Sequence, residues 1–406
     1  MTTEQRFLLL LILVGAVATV LGLVSKRARM VPYPVVLAAA GIAVGLLPGG
    51  QFPRIGGSLI LLAFVPGLIF EGALTLDLAE LRRRLLPVGL LATAGVAITV
   101  LLIGVLTHLV IGLSWANGML LGAILAATDP IAVIALLRRM EAPAGLAAIL
   151  EGESLFNDGT GVAVFSAVLF TILSGAPSFG DATIRFFEIT LGGTAVGLAV
   201  GFLGLALLRF AEDAPLEILA TLVIAYGSYL AADLLHASGI VAVVVAGIVV
   251  ARYGTQIGRL HGAQLLGFWN VLAFVLNAML FILVGAALPA TTLLPVAGLV
   301  VGAFVIMLVT RAVPVYGLLA LADLRARTIP WAWRNVTFWA GLRGALSVAL
   351  ALSVAGATGV DSRVSVVAYG VVLLSLLVQG GLMAPVAHAL KVGATGAQSG
   401  VRDGTN

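Results

Sequence analysis

The chain has 406 residues, of which 61% are hydrophobic, 10% are charged and none is cysteine. Soluble domains carry about 25% charged residues, so a mean hydropathy of +1.17 makes lipid the main solvent, and the missing cysteines exclude disulfides, thiolate metal sites and iron–sulfur clusters. The net charge of +4 and pI near 9.8 do not point to nucleic acid, because basic residues collect in membrane loops for topological reasons.

Apolar windows of about 17 to 25 residues, the length of a membrane-crossing helix, recur along the chain between charges and Pro/Gly breaks. They predict an all-α membrane protein of about thirteen transmembrane helices, near 6–24, 31–47, 57–76, 86–111, 117–137, 147–173, 184–208, 215–235, 238–251, 263–287, 293–322, 333–356 and 364–390. The first lacks a small-residue cleavage site and runs into Lys26-Arg27, so it reads as a span and not as a signal peptide. Residues 1–391 then form a single transmembrane domain, and 392–406, rich in Gly, Ser and Thr, a disordered tail. Placing the loop after the first span in the cytoplasm puts 16 of the 22 Lys and Arg inside and four outside, with Arg311 and Arg343 within spans. That bias supports a protein of the cell membrane with its N-terminus outside and its C-terminus in the cytoplasm.

Ionisable side chains at membrane depth cost at least about 2.5–3.5 kcal/mol each, so every one is a candidate for function. In the third span, Glu71 sits between Phe70 and Gly72; it either reaches a central site or snorkels at the interface. His108, Glu217 and Asp233 fall near span ends and read as interfacial.

The fifth span contains Ala126-Ala127-Thr128-Asp129-Pro130. Pro130 has no N–H and clashes with the preceding turn, so the Ala126 carbonyl loses its helical partner. Asp129, ahead of a proline, leaves helical geometry and can cap the half-helix that follows. A broken helix results, with carbonyls near Thr128 free to face a cation.

The sixth span holds the densest polar set, Glu151-Gly152-Glu153-Ser154-Leu155-Phe156-Asn157-Asp158-Gly159. Ser154 and Asp158, four apart, share a helix face and offer a hydroxyl and a carboxylate to one cavity. Glu153 is turned away, toward a different neighbour. The seventh span has Gly192, Gly193, Gly197, Gly201 and Gly204, which suits close helix packing.

In the twelfth span, Gly341 and Gly344 flank Leu342-Arg343, a second interruption. Arg343 needs a carboxylate, and Glu153 is the preferred partner, with Asp129 the second choice. Spans five and twelve cross the membrane in opposite directions. Paired broken helices of this kind mark an inverted-topology repeat with a midplane site. The six-helix repeats would cover about 6–173 and 215–390, with 184–208 as the linker helix.

Oxygen ligands suit a hard monovalent cation: the Asp158 carboxylate, the Ser154 hydroxyl, carbonyls around Thr128, and Glu71 directly or through water. A carboxylate in a partly dry cavity holds its proton more tightly than one in water. One acid with two mutually exclusive ligands and two access states is sufficient for antiport. Asn157 is placed with these residues in the cation- and proton-binding set; it is neutral, so the Asn157-Asp158 pair carries one titrating acid. Exchange of one proton for one monovalent cation would then be electroneutral.

Ala127-Thr128-Asp129-Pro130, Gly152-Glu153-Ser154-Leu155-Phe156-Asn157-Asp158-Gly159 and Gly341-Leu342-Arg343-Gly344-Ala345 together resemble the NhaP-type sodium/proton antiporters of the monovalent cation:proton antiporter superfamily, related to the animal sodium/hydrogen exchangers. The resemblance implies a thirteen-helix homodimer with a mobile core moving against a dimerisation domain. It implies cation coordination by Asp158, Ser154 and the Thr128 backbone with Glu71 nearby. It assigns Asp129 to the helix crossing and Glu153 with Arg343 to a stabilising ion pair. It favours sodium or lithium as the cation and requires no cofactor. The chain lacks the long cytoplasmic region of animal exchangers, so regulation through such a region is not expected.

Potassium/proton exchange is the alternative within transporters. A cation channel would want a filter-like glycine/carbonyl run, and none is evident. An intramembrane hydrolase is disfavoured: none of His108, His236, His261 and His388 begins an H-E-x-x-H, and no G-x-S-x-G occurs.

Overall fold

The computed structural model describes residues 15–16, 19–20, 22, 33–45, 57–174, 179–254, 262–286, 293–326 and 328–393. The predicted first span and the 392–406 tail fall almost entirely outside them, as do Lys26, Arg27 and His261. Every regular element among the described residues is helical.

In chain order, α1 is Tyr33–Gly45, followed by α2 Gly57–Ala63 and α3 Val65–Thr75. The predicted third span is therefore two helices meeting at Phe64, with Pro66 in the first turn of α3, where its missing N–H costs nothing. A short helix, α4 Leu78–Arg83, was not legible as a span. Asp77 caps it, its carboxylate accepting from the Ala79 and Glu80 N–H groups at 3.0 Å each. Next come α5 Leu85–Leu90, a π-turn at Leu91–Gly95 and α6 Val96–Ile111. Gly112, at φ 73°, stops α6 in the left-handed conformation that glycine adopts without strain.

The predicted fifth span is broken as expected: α7 is Trp115–Ala126, residues 127–130 are non-helical, and α8 is Ile131–Arg139. The site helix α9 (Ala144–Ser174), α10 (Phe179–Leu208), α11 (Ala214–Leu234), α12 (Gly239–Tyr253) and α13 (Gly262–Ala286) follow. A short 3-10 turn leads into α14 (Ala297–Ala326). The predicted twelfth span is also broken, into α15 Trp331–Trp339 and α16 Ala345–Ser353 around residues 340–344. The chain then forms α17 Ser362–Leu374, a second π-turn at Ser375–Gly380 and α18 Gly381–Ala389.

Among the described residues seven helices are long and apolar enough to cross a membrane, and three shorter apolar helices accompany them. The spans pack as two walls joined through α9. One comprises α6, α7, α9, α14, α16 and α17; the other comprises α1, α3, α10, α11, α12 and α13, and α9 packs on α10 and α12 of the second as well as on α7 of the first. With lipid on the outside, apolar burial gives little drive for helix association, and close van der Waals fit must supply it. Gly197 illustrates the fit: a Cβ there would strike the Ala242 carbonyl of α12. Gly193, Gly197 and Gly201 thus pack α10 onto α12, and Gly204 packs it onto Ile224 of α11, the close helix packing expected of this span. Of the charges placed near span ends, His108 donates from Nδ1 to the Leu113 carbonyl and Asp233 is exposed, whereas Glu217 is buried at the start of α11.

Candidate cation site

The two helix breaks meet. The Asp129 N–H donates to the Leu342 carbonyl at 2.8 Å, so the chain of one interruption hydrogen-bonds the other. Four half-helix ends converge there, each with exposed backbone groups and a partial charge. The negative end of α7 presents the Ala126 and Ala127 carbonyls, and Arg343 Nη1 donates to them at 2.9 and 3.2 Å. The Ala126 carbonyl is the one that Pro130 deprives of a partner. At the positive end of α8, the Asp129 carboxylate accepts from the Ile131 N–H at 3.1 Å. The same carboxylate lies against Gly344, at the positive end of α16, so closely that no Cβ fits between them.

The negative end of α15 is met by Arg311, which sequence reasoning left without a role. Its Nη2 and Nε donate to the Thr337 and Phe338 carbonyls at 2.9 and 3.3 Å. Arg311 also forms a bidentate pair with Glu153, Nη1 to Oε1 at 2.9 Å and Nη2 to Oε2 at 3.3 Å. Here the expected pairing of Glu153 with Arg343 is corrected: Glu153 pairs with Arg311, while Arg343 is fully buried on backbone carbonyls. The physical reason is that a broken helix supplies concentrated carbonyl charge, which replaces the carboxylate a buried guanidinium otherwise needs. Arg311 was legible only as a lone charge in a long apolar span; its target became visible when α15 ended beside it.

Both π-turns brace this centre. Ser375, in the second, accepts from the Arg343 N–H at 2.9 Å and donates to Gln379. At the first, the Ala92 carbonyl accepts from Thr160 Oγ1 of α9 at 2.6 Å.

Beside the crossing lies a cavity of about 360 Å3. Asp158, Ser154, Thr128, Asp129 and Glu71 all border it. The Asp158 carboxylate makes no hydrogen bond within the described residues, which leaves its oxygens to the cavity. Ser154 Oγ donates to the Thr128 carbonyl at 2.6 Å, so its lone pairs and the carbonyl's second lone pair remain for a ligand. Glu71 enters from α3, on the opposite wall.

Asn157 does not border this cavity, which corrects its expected place among the ligands. It is buried, donating from Nδ2 to Thr128 Oγ1 at 2.7 Å and accepting from the Thr128 N–H at 3.3 Å. One helical step from Asp158, it faces the break and holds Thr128 so that the Thr128 carbonyl meets Ser154. Residues also bordering the cavity that the span reading left unassigned are Arg138, Glu151, Asn277 and Ser347. Arg138 Nη2 pairs with Glu151 Oε1 at 2.9 Å. The α8 residues Ile131, Ala135 and Arg138 are exposed while Thr128 and Ser347 are buried, so the cavity opens along α8 toward Arg138.

Residues 13–389 match the family model of the transmembrane sodium/hydrogen exchangers. The chain belongs to the sodium/hydrogen exchanger family. Among curated relatives, the exchanger is 37% identical over 394 residues to the Na(+)/H(+) antiporter ApNhaP of Aphanothece halophytica, covering 95% of this chain and 74% of that one. It is 37% identical over 345 residues to the Na(+)/H(+) antiporter NhaP of Pseudomonas aeruginosa, covering 81% of this chain and 80% of the relative. The fold matches the sodium proton antiporter MjNhaP1 of Methanocaldococcus jannaschii with a TM-score of 0.77 at 21% identity, over 95% of this chain and 99% of that one. The exchanger is thus an all-helical, multi-pass membrane protein of a transporter family.

Proposed function

We propose that this chain exchanges Na+ for H+ by alternating access, with Asp158 binding the cation and the proton in turn. The carrying observation is the Asp158 carboxylate, free of hydrogen bonds among the described residues and bordering one cavity with Ser154, Thr128 and Glu71. Such a carboxylate, drawn from water into a confined space, must be neutralised by one of two ligands. Cation and proton compete for it, and a change of access between the two bound forms couples their fluxes. Li+ is the second cation expected to fit the same oxygens.

Asn157, tied to Thr128, contributes no titrating group. We read the exchange as one for one and electroneutral, escaping the ~2.3 kcal/mol per charge that 100 mV of membrane potential would impose. The finer architecture belongs to the same reading: thirteen spans, two inverted six-helix repeats, and a homodimer in the cell membrane. The crossing of the α7–α8 and α15–α16 breaks supports the repeats. The bias of Lys and Arg supports a cytoplasmic location for the cavity mouth at Arg138, and hence an inward-open state.

The deciding experiment is pH-gradient collapse in proteoliposomes across lithium, sodium, potassium and rubidium, with Asp158→Asn as control. Collapse driven by sodium and abolished in Asp158→Asn is expected. Preference for potassium would select the alternative K+/H+ antiporter, and exchange that persists in Asp158→Asn would remove the site assignment. A rate that follows an imposed potential would overturn electroneutrality. Flux that needs no counter-ion would indicate a channel.

A further inference from the structure

Two neutral polar side chains border the cation cavity without a role in the crossing. Asn277 lies in the middle of α13, in the otherwise apolar stretch Phe274–Leu280. Its Oδ1 is buried and accepts no hydrogen bond within the described residues. Ser347 lies in the first turn of α16, fully buried, and its Oγ is likewise without a partner. A helical serine ordinarily returns its hydroxyl to a carbonyl one turn back, as Ser353 does at 2.8 Å to Leu350. Ser347 does not.

A buried oxygen without a hydrogen bond is costly, and both of these side chains border one cavity, where an occupant is placed to supply what the protein does not. The position of the two oxygens narrows the occupant. They come from facing walls, Asn277 from the wall of α1, α3 and α13, and Ser347 from the wall that carries Asp158. Neither an amide nor a hydroxyl takes up a proton near neutral pH, so neither competes for the ion that replaces the cation on Asp158. Both are hard oxygen donors of the kind a monovalent cation accepts.

We propose that Asn277 Oδ1 and Ser347 Oγ are additional ligands of the transported cation, direct or through its retained water, and that they set cation affinity and selectivity without touching proton binding. This rests on the reading of Asp158 as the exchange site. Asn277 approaches from the wall opposite Asp158. It therefore holds the cation only while the two walls face each other as here, and releases it when they move apart.

The test measures exchange against sodium concentration in proteoliposomes for the wild type, Asn277→Leu, Asn277→Gln, Ser347→Ala and Asp158→Asn. Leucine preserves the bulk of Asn277 and removes its oxygen; glutamine restores the oxygen. Loss of one ligand oxygen should raise the half-saturating sodium concentration about fivefold to tenfold. The maximal rate should stay within about twofold, and the ranking of lithium, sodium and potassium should change. Asn277→Gln should recover part of the affinity. A second reading without transport is the rise in unfolding temperature that sodium induces in the detergent-solubilised protein, expected to shrink in Asn277→Leu and Ser347→Ala. Unchanged half-saturation and an unchanged sodium-induced rise in folded variants would overturn the proposal. So would a fall in maximal rate with the cation ranking intact, which is the mark of a packing role. Exchange that survives in Asp158→Asn would instead overturn the underlying site reading, so the two failures are distinguishable.

Discussion

The Asp129 N–H and the Leu342 carbonyl, 2.8 Å apart, join two interrupted helices at the point where both lose their internal hydrogen bonds. Around this bond each half-helix end is met by a charge of opposite sign: Asp129 at the positive ends of α8 and α16, Arg343 at the negative end of α7, Arg311 at the negative end of α15. The carbonyls and carboxylates that border the cavity are thereby held beside helix ends whose partial charges are compensated.

Gly344 is the tightest point of that arrangement. A methyl group added there would enter the space of the Asp129 carboxylate, forcing the breaks apart. Gly344→Ala should reduce both the yield of folded protein and the exchange rate, whereas Gly262→Ala, with open space around it, should change neither. Size-exclusion profiles and proteoliposome rates check this, and a normal Gly344→Ala protein would refute the tightness of the crossing.

Arg343→Ala should leave the Ala126 and Ala127 carbonyls without donors. Each buried carbonyl stranded in this way costs about 1–3 kcal/mol. The expectation is a lower unfolding temperature and lower expression, with the order of cation preference retained. A changed preference at unchanged stability would instead place Arg343 at the cation.

Removing one member of a buried ion pair costs about 3–5 kcal/mol, because the remaining charge is left without compensation. Glu153→Leu should therefore destabilise strongly, and Arg311→Met added to it should recover part of the loss. Recovery is incomplete because Arg311 also serves the Thr337 and Phe338 carbonyls. The same second substitution placed with Arg343 should give no recovery. Thermal unfolding of the singles and doubles measures the coupling.

Competition at Asp158 has a defined pH signature. Where the site is mostly protonated, each unit of falling pH should raise the half-saturating sodium concentration about tenfold. Where it is mostly ionised, half-saturation should stop changing with pH. The maximal rate at saturating sodium should respond less. Half-saturation that is flat across the acid range would argue for separate cation and proton sites.

At the N-terminus of α17, Arg363 hydrogen-bonds the Asp361 carboxylate, Nη2 to Oδ2 at 2.7 Å, and holds it below its ordinary value. Asp361 also caps the helix through the Arg363 N–H. A folded-state value depressed below the unfolded one stabilises above the unfolded value, near pH 4, and the gain is lost as pH falls through the folded value. Asp361→Asn should therefore lower the unfolding temperature at pH 6, and the gap to the wild type should narrow in acid below about pH 4. Parallel unfolding curves with a constant gap would show that the cap, and not the ion pair, carries the effect.

Hydropathy, the arginine bias and three motifs were enough to determine the membrane class and both helix breaks, and they singled out Asp158, Ser154, Thr128 and Glu71, which the fold gathers on one cavity, because apolar length, a missing proline N–H and helical spacing act locally. Asp129 at the α8 end was legible for the same reason. Partner choice was not. Glu153 found Arg311 and not Arg343, Asn157 turned to Thr128 and not to the cavity, and Asn277 came to border the cavity from α13. These depend on which helix ends and walls converge. A buried charge or amide takes the partner that the packing brings within about 3 Å, and only the tertiary structure decides that.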